Sequence, residues 1–296
     1  LTVSNAKTSG AGTVVTLGDG SNTVTLLSSM NDVVTGGAGA DTLFLTSGTN
    51  DVDLAAGTDT LSFDIAGAAE TNGVIINAGS NDAFLNGATG ATAGSTDIVG
   101  AFTAYSRSND TGNIGSGMVT TFAGVERFVG SDQADVLFSG SIGVRMDGAA
   151  GDDLFVGGSG ADTFTGGEGL DTINSGSGDD TIILGSQAND GQDNIDGGAG
   201  IDTVTVATGA AFSFSTADSK LVNVQNVSMG AGASVTLTGQ TEAFTITGGG
   251  GAETIISGSG DDTINGGLGN DFIQGAAGAD VINGGAGLDT ASYADV

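Results

Sequence analysis

The sequence predicts an all-β fold, a parallel β-solenoid of the β-roll or β-helix kind, and three observations carry that prediction. Glycine makes up 56 of the 296 residues, and with aspartate it recurs every nine positions over long stretches. Among the 35 acidic residues Asp far outnumbers Glu; Glu favours helices, whereas Asp favours turns and ligand positions. Proline is absent, although average usage would have given roughly fifteen. No amphipathic helix of useful length appears.

Composition also excludes several kinds of chemistry. The chain has no His and no Cys, so it holds no Ser-His-Asp or Cys-His nucleophilic pair, no His-ligated zinc and no disulfide framework. With five basic residues and a net charge of −30, it cannot neutralise a phosphate track, which excludes nucleic acid as a partner. Such a charge attracts cations. Disorder is excluded by 38% hydrophobic residues and a mean hydropathy of +0.16. No apolar run reaches the length of a membrane span, so no membrane insertion is expected. The start at Leu1, with neither an initiator Met nor a signal-peptide pattern, and the stop after Val296 read as an excised piece of a longer polypeptide.

The elements follow in order. Residues 1–64 read as a degenerate repeat block. One full unit, GGAGADTLF at 36–44, stands there among imperfect neighbours (LGDGSNTVT at 17–25, SMNDVVT at 29–35, SGTNDVDL at 47–54, AAGTDTLS at 55–62). Residues 65–140 read as a strand-rich solenoid segment, with GVIINAG at 73–79, VERFVGSDQADVLFSG at 125–140 and a long loop near 86–118 that holds Tyr105 and Arg107. Residues 141–205 form the first dense block: GAAGDDLFV, GGSGADTFT, GGEGLDTIN and SGSGDDTII in succession from Gly148, then a longer step through GSQANDGQDNID, then GGAGIDTVT. That longer step, between Asp180 and Asp193, is expected to break the stacking register. Residues 206–247 alternate apolar and polar (FSFS, LVNVQNVSM, SVTLT, FTIT) and read as a metal-free strand segment. Residues 248–296 form the second block: GGGGAETII, SGSGDDTIN, GGLGNDFIQ, GAAGADVIN and GGAGLDTAS.

The unit G-G-x-G-x-D-x-U-x, with U apolar, divides into two physical halves. Its first six residues place glycine where positive φ and close backbone approach are needed, giving a tight turn rich in exposed carbonyls. Its last three are β-prone, with one apolar side chain directed inward, a very short strand. Two units make a coil of about 18 residues. Stacked coils set each Asp beside the Asp 18 positions away, pairing Asp153 with Asp171, Asp162 with Asp180, Asp262 with Asp280 and Asp271 with Asp289. Carboxylates held so close repel unless something lies between them. A hard cation with oxygen ligands fills the gap, and Ca²⁺, which takes 6–8 oxygens at flexible geometry, suits a carbonyl-rich turn better than Mg²⁺. Roughly nine such ions would cancel about 18 of the negative charges. On the inner side, Phe155, Phe164, Ile173, Ile182 and Val204 are expected to form one apolar ladder, and Ile255, Ile264, Ile273 and Ile282 another.

These units resemble the repeats-in-toxin (RTX) nonapeptides, over about 148–205, 248–292 and 36–44. The resemblance implies a parallel β-roll with turn-bound Ca²⁺, the sixth-position acids Asp41, Asp153, Asp162, Asp171, Asp180, Asp193, Asp202, Asp262, Asp271, Asp280 and Asp289 as ligands, and carbonyls of turn glycines such as Gly157, Gly166, Gly266 and Gly284 as helpers. Glu253 departs from the pattern, and its longer arm puts that site in question. The resemblance further implies type I export through a C-terminal signal. No G-x-S-x-G elbow or phosphate-binding G-x-x-x-x-G-K-[ST] occurs, so no enzyme activity is expected. The expected function is that of a calcium-stabilised structural protein of a bacterial surface layer, self-associating into a lattice or matrix, with cell-surface polysaccharide as a further partner. The alternative is the non-catalytic repeat domain of a type I-secreted enzyme or adhesin.

Overall fold

The computed structural model describes residues 2–5, 14–26, 32–45, 48–63, 74–77, 83–84, 98–99, 103–108, 113–123, 125–185, 193–214 and 220–293. Among them every regular element is a strand, mostly of three or four residues, and there is no helix. The fold is a parallel β-solenoid. Its chain divides into two compact units, Leu1–Gly160 and Ala161–Val296.

In the second unit one sheet stacks Thr163–Thr165, Thr181–Leu184, Thr203–Val206, Asn226–Met229, Thr245–Thr247, Thr263–Asn265 and Val281–Asn283, all parallel. Two further sheets are built the same way. One holds Thr172–Asn174, Asn194–Asp196 and Leu221–Val222; the other holds Ala211–Ser213, Ser234–Thr236, Thr254–Ile256, Phe272–Gln274 and Thr290–Ser292. A three-residue strand has one inward side chain, and in the first sheet these align as Phe164, Ile182, Val204, Val227, Ile246 and Ile264, each no more than 2% exposed. Each such burial contributes about 1.5–3 kcal/mol.

The apolar ladders therefore run between every second unit. Ile173 lies in a different sheet from Phe164 and Ile182, and Ile255 and Ile273 lie in a different sheet from Ile264 and Ile282. Reading consecutive units as one ladder overlooks that a two-unit coil sends neighbouring units to different sheets.

In the first unit, Thr2–Asn5, Thr23–Leu26, Thr42–Leu45, Thr60–Ser62, Arg127–Val129 and Arg145–Asp147 form one parallel sheet. Val24, Leu43, Leu61, Phe128 and Met146 align along its buried side. The other sheet runs Val14–Thr16, Val33–Thr35, Gly48–Asp53, Asn113–Ala123, Thr103–Ser108, Val74–Asn77, Val136–Phe138 and Leu154–Val156. Thr103–Ser108 is antiparallel to both of its neighbours, the rest of the sheet being parallel. The stretch near 86–118 read as a long loop thus contributes strands to the sheet, forming an antiparallel hairpin with Asn113–Ala123. Tyr105 pairs with Val119 and Arg107 with Ile114.

The longer step after Asp180 does not break the register. Thr172 pairs with Asn194 and Thr181 with Thr203, both 22 residues apart; residues 186–192 lie outside the described residues. Lengthening a surface connection by a few residues costs little entropy.

Candidate metal centres along the turns

In several units the turn half carries left-handed backbone at alternate positions. In GGEGLDTIN the second and fourth residues, Gly167 and Gly169, have φ of +106° and +147°. The second position accepts a left-handed alanine, as Ala149 (φ +74°) and Ala276 (φ +59°) show. In these units the fourth lies where only glycine is comfortable, as at Gly169, Gly200 and Gly287, and a Cβ on Gly200 would stand 1.8 Å from the Gly178 carbonyl oxygen.

The first glycine serves a different purpose. A Cβ on Gly166 would lie 2.3 Å from Asp171 Oδ2, one on Gly266 2.6 Å from Asp271 Oδ2, and one on Gly284 2.5 Å from Asp289 Oδ2. In these glycine-opened units the sixth-position carboxylate folds back over the Cα that opens its own turn, where an added Cβ would crowd it. Gly157 holds the same position, half-buried, before Asp162.

The acids are linked from coil to coil. The backbone N–H of one sixth-position residue donates to Oδ1 of its partner in the next coil: Asp41 to Asp59 (2.7 Å), Asp135 to Asp153 (2.7 Å), Asp162 to Asp180 (2.8 Å), Asp262 to Asp280 (3.0 Å) and Asp271 to Asp289 (3.0 Å). The stacking expected for the last three pairs is therefore present. Across the 22-residue steps Asp171 donates to Asp193 and Asp180 to Asp202, both at 2.9 Å. Asp41, Asp153, Asp162, Asp171, Asp180, Asp193, Asp202, Asp262 and Asp271 are all buried, while Asp280 and Asp289 are half-buried.

One Oδ1 bond leaves the other oxygen to be satisfied. Oδ2 of Asp41, Asp59, Asp180, Asp202 and Asp271, and Oε2 of Glu253, are buried without a hydrogen-bond partner. An ionised carboxylate oxygen removed from water and left unbonded is costly. Burial pushes the Asp202 carboxyl above its ordinary range, against the Asp180 N–H, with the charges of Asp180, Asp179 and Asp196 adding to the rise. Asp59 is raised by burial and then by Glu126 and Asp41, its bond from Asp41 opposing. Asp262 is also raised by burial, opposed by the Ser257 hydroxyl. Among the described residues no group of three or more acidic side chains is placed to hold a metal, so a cation here would be held by few carboxylate oxygens and would need turn carbonyls to complete its shell. That is oxygen-only, flexible coordination of the kind Ca²⁺ accepts.

Glu253 reaches a different arrangement. Its Oε1 accepts the N–H groups of Gly232 (2.6 Å) and Gly251 (3.1 Å), and its own N–H donates to Asp271 (2.9 Å). The longer arm stays in the ladder but aims one oxygen at the preceding coil's turn. At Asp262 the hydroxyl of Ser257, in the first position, donates to Oδ2.

A family model of the RTX calcium-binding nonapeptide repeat, in four copies, matches residues 28–61, 147–182, 187–205, 245–264 and 256–291. These segments are RTX calcium-binding nonapeptide repeats. Together they span a little under half of the chain. No curated protein matches it. The orphaned carboxylate oxygens inside the matched RTX segments are the feature of this structure that fits calcium.

The sixth-position column extends beyond those segments to Asn22, Glu126 and Asp135, and within them it also takes in Asp32, Asn50 and Asp59. The Asn22 N–H donates to Asp41 Oδ1 at 2.9 Å and the Asp32 N–H to Asn50 Oδ1 at 3.1 Å. The signal is present in the sequence: 32, 41, 50 and 59 are nine apart, as are 126, 135, 144 and 153. Asp135 differs chemically, since its carboxylate accepts Ser131 N–H (2.7 Å) and the Ser131 hydroxyl (3.0 Å) from its own turn. In the 206–247 segment the column passes through Gln225, whose Oε1 accepts the Asp202 N–H at 2.7 Å, and the buried Phe244.

Proposed function

We propose that this chain is a calcium-stabilised structural protein of an extracellular surface layer, non-catalytic and self-associating into a lattice or matrix at the surface of a bacterial cell. The observation that carries the reading is the set of buried sixth-position carboxylates whose second oxygen has no partner in the protein. The metal-free chain is held back by its own charge, and cations that bind only the folded form add stability by mass action. Export by a type I route delivers an unfolded chain from low calcium into high calcium, where it folds. The structural class is favoured over an enzyme by proportion: the described residues of both units are solenoid coils, with one hairpin and a separate two-stranded ladder, Ala83–Phe84 with Ile98–Val99, inserted among them. Cell-surface polysaccharide is the anchoring partner in this reading.

The test is chelation of intact producing cells with EGTA. Release of the protein, and its return as ordered sheets when calcium is restored, is expected. Protein that stays attached, or that forms no ordered sheet with calcium, overturns the surface-layer reading.

A further inference from the structure

The two sheets of the first unit do not count the same number of strands around residues 60–127. In one, Thr60–Ser62 pairs directly with Arg127–Val129, Arg127 opposite Thr60. In the other, Gly48–Asp53 and Val136–Phe138 are separated by Asn113–Ala123, Thr103–Ser108 and Val74–Asn77. A regular solenoid would place a single strand in that gap. The hairpin adds two more, which at the usual strand spacing widens that side by about 9–10 Å while the opposite side stays closed.

Asp59 and Glu126 stand on the closed side, immediately before the two strands that pair there. Glu126 is a sixth-position acid, and the Asp59 N–H donates to its Oε2 at 2.8 Å, the same bond that links acids from coil to coil elsewhere. It lies outside every matched repeat. Asp59 is fully buried, its Oδ1 accepts the Asp41 N–H, and its Oδ2 has no hydrogen-bond partner. The basic residue next in sequence does not relieve the pair, because Arg127 is bonded to Asp147 at 3.3 Å. The Glu126 carboxylate is thus held against the Asp59 backbone, its charge acting on the Asp59 carboxylate, which keeps one buried oxygen unsatisfied.

We infer that Asp59 and Glu126 share a divalent cation, a calcium-class ion, that staples the base of the excursion where the widened side is balanced by the closed one. The inference rests on the calcium reading above, but it assigns a site whose second carboxylate comes from outside the repeats. It couples the ordering of the hairpin to the metal.

The test uses the full chain and calcium alone, counting bound ions by native mass spectrometry and mapping protease cuts within 64–124. Glu126→Gln keeps an oxygen to accept the Asp59 N–H, and Asp59→Asn keeps one for the Asp41 N–H, so both variants are expected to fold. Each should bind one ion fewer than the parent, and the double variant also one fewer, because the ion is the same. Cleavage in 64–124 at saturating calcium should rise several-fold in all three. An unchanged count or unchanged cleavage in Glu126→Gln, or the loss of two ions in the double variant, overturns the shared site. A parent chain that binds no calcium would instead overturn the calcium reading itself.

Discussion

The backbone N–H of Asp180 donates to Oδ1 of Asp202, 22 residues further on, at 2.9 Å, while Oδ2 of Asp202 lies buried without a partner. One oxygen of the same carboxylate thus completes the neighbouring coil, and the other is left for a cation.

That division predicts opposite effects of one substitution with and without metal. Asp202→Asn retains an oxygen for the Asp180 N–H but removes a buried charge whose ionisation is resisted by burial and by Asp180, Asp179 and Asp196. In EGTA its thermal midpoint should rise. With calcium its affinity should fall by on the order of tenfold or more at that site, as expected for one carboxylate ligand lost. Calorimetric titration together with melting in both conditions checks this; a variant less stable than the parent in EGTA counts against the buried-charge argument.

The pH dependence should also change sign with metal. Asp59, Asp202 and Asp262 have carboxyl values raised in the folded state, burial being the main cause in each. A raised folded value stabilises the fold below the unfolded value of about 3.9, and that contribution is lost as pH rises through the folded value. Metal-free protein should therefore gain β structure on acidification from neutral pH toward about pH 4–5. Calcium-loaded protein should lose stability over the same interval, since protons compete with the ion for the same oxygens. Circular dichroism across pH, with calcium and with chelator, reads both slopes.

Two glycines separate steric from conformational demand. Gly166→Ala drives a Cβ into Asp171 Oδ2 and should cost about 1–3 kcal/mol together with calcium affinity. Gly232 has φ +69° and open space within 4 Å of the position a Cβ would take, so Gly232→Ala should cost about 1–2 kcal/mol for its left-handed backbone and leave calcium affinity unchanged. Melting and calcium titration of the two variants make the comparison, and equal loss of affinity in both would refute the seating role of the first glycine.

Because Asp171–Asp193 and Asp180–Asp202 are in register across 22 residues, the extra length in 186–192 is dispensable for stacking. Deleting four residues there should leave the calcium count and the β spectrum of the full chain as they were. A lower count would mean that those residues help to set the rungs.

Much of this is legible in the sequence wherever the nine-residue period is unbroken. The turn glycines, the inward Phe164 and Ile182, and the pairing of Asp162 with Asp180 all follow from local spacing. The link between Asp59 and Glu126 is harder to see. Each obeys the period on its own side, but their partnership depends on a chain reversal through Thr103–Ser108 that no local period encodes, because pairing across 67 residues is decided by tertiary packing. The register after Asp180 escapes a sequence reading for a related reason: a solenoid fixes what stacks on its faces and leaves the length of its connections nearly free.

The sixth-position bonds run from the N–H of one coil to the carboxylate of the next. The fifth-position bonds run the other way, with Ile201 N–H donating back to Asp179 (2.9 Å), Ala279 to Asp261 (2.7 Å) and Leu288 to Asn270 (2.8 Å). Each of these interfaces between coils is therefore closed by side-chain acceptors from both sides. A coil removed from the stack strands amides and carboxylate oxygens on its neighbours, so a break at any of these interfaces leaves two unfinished faces.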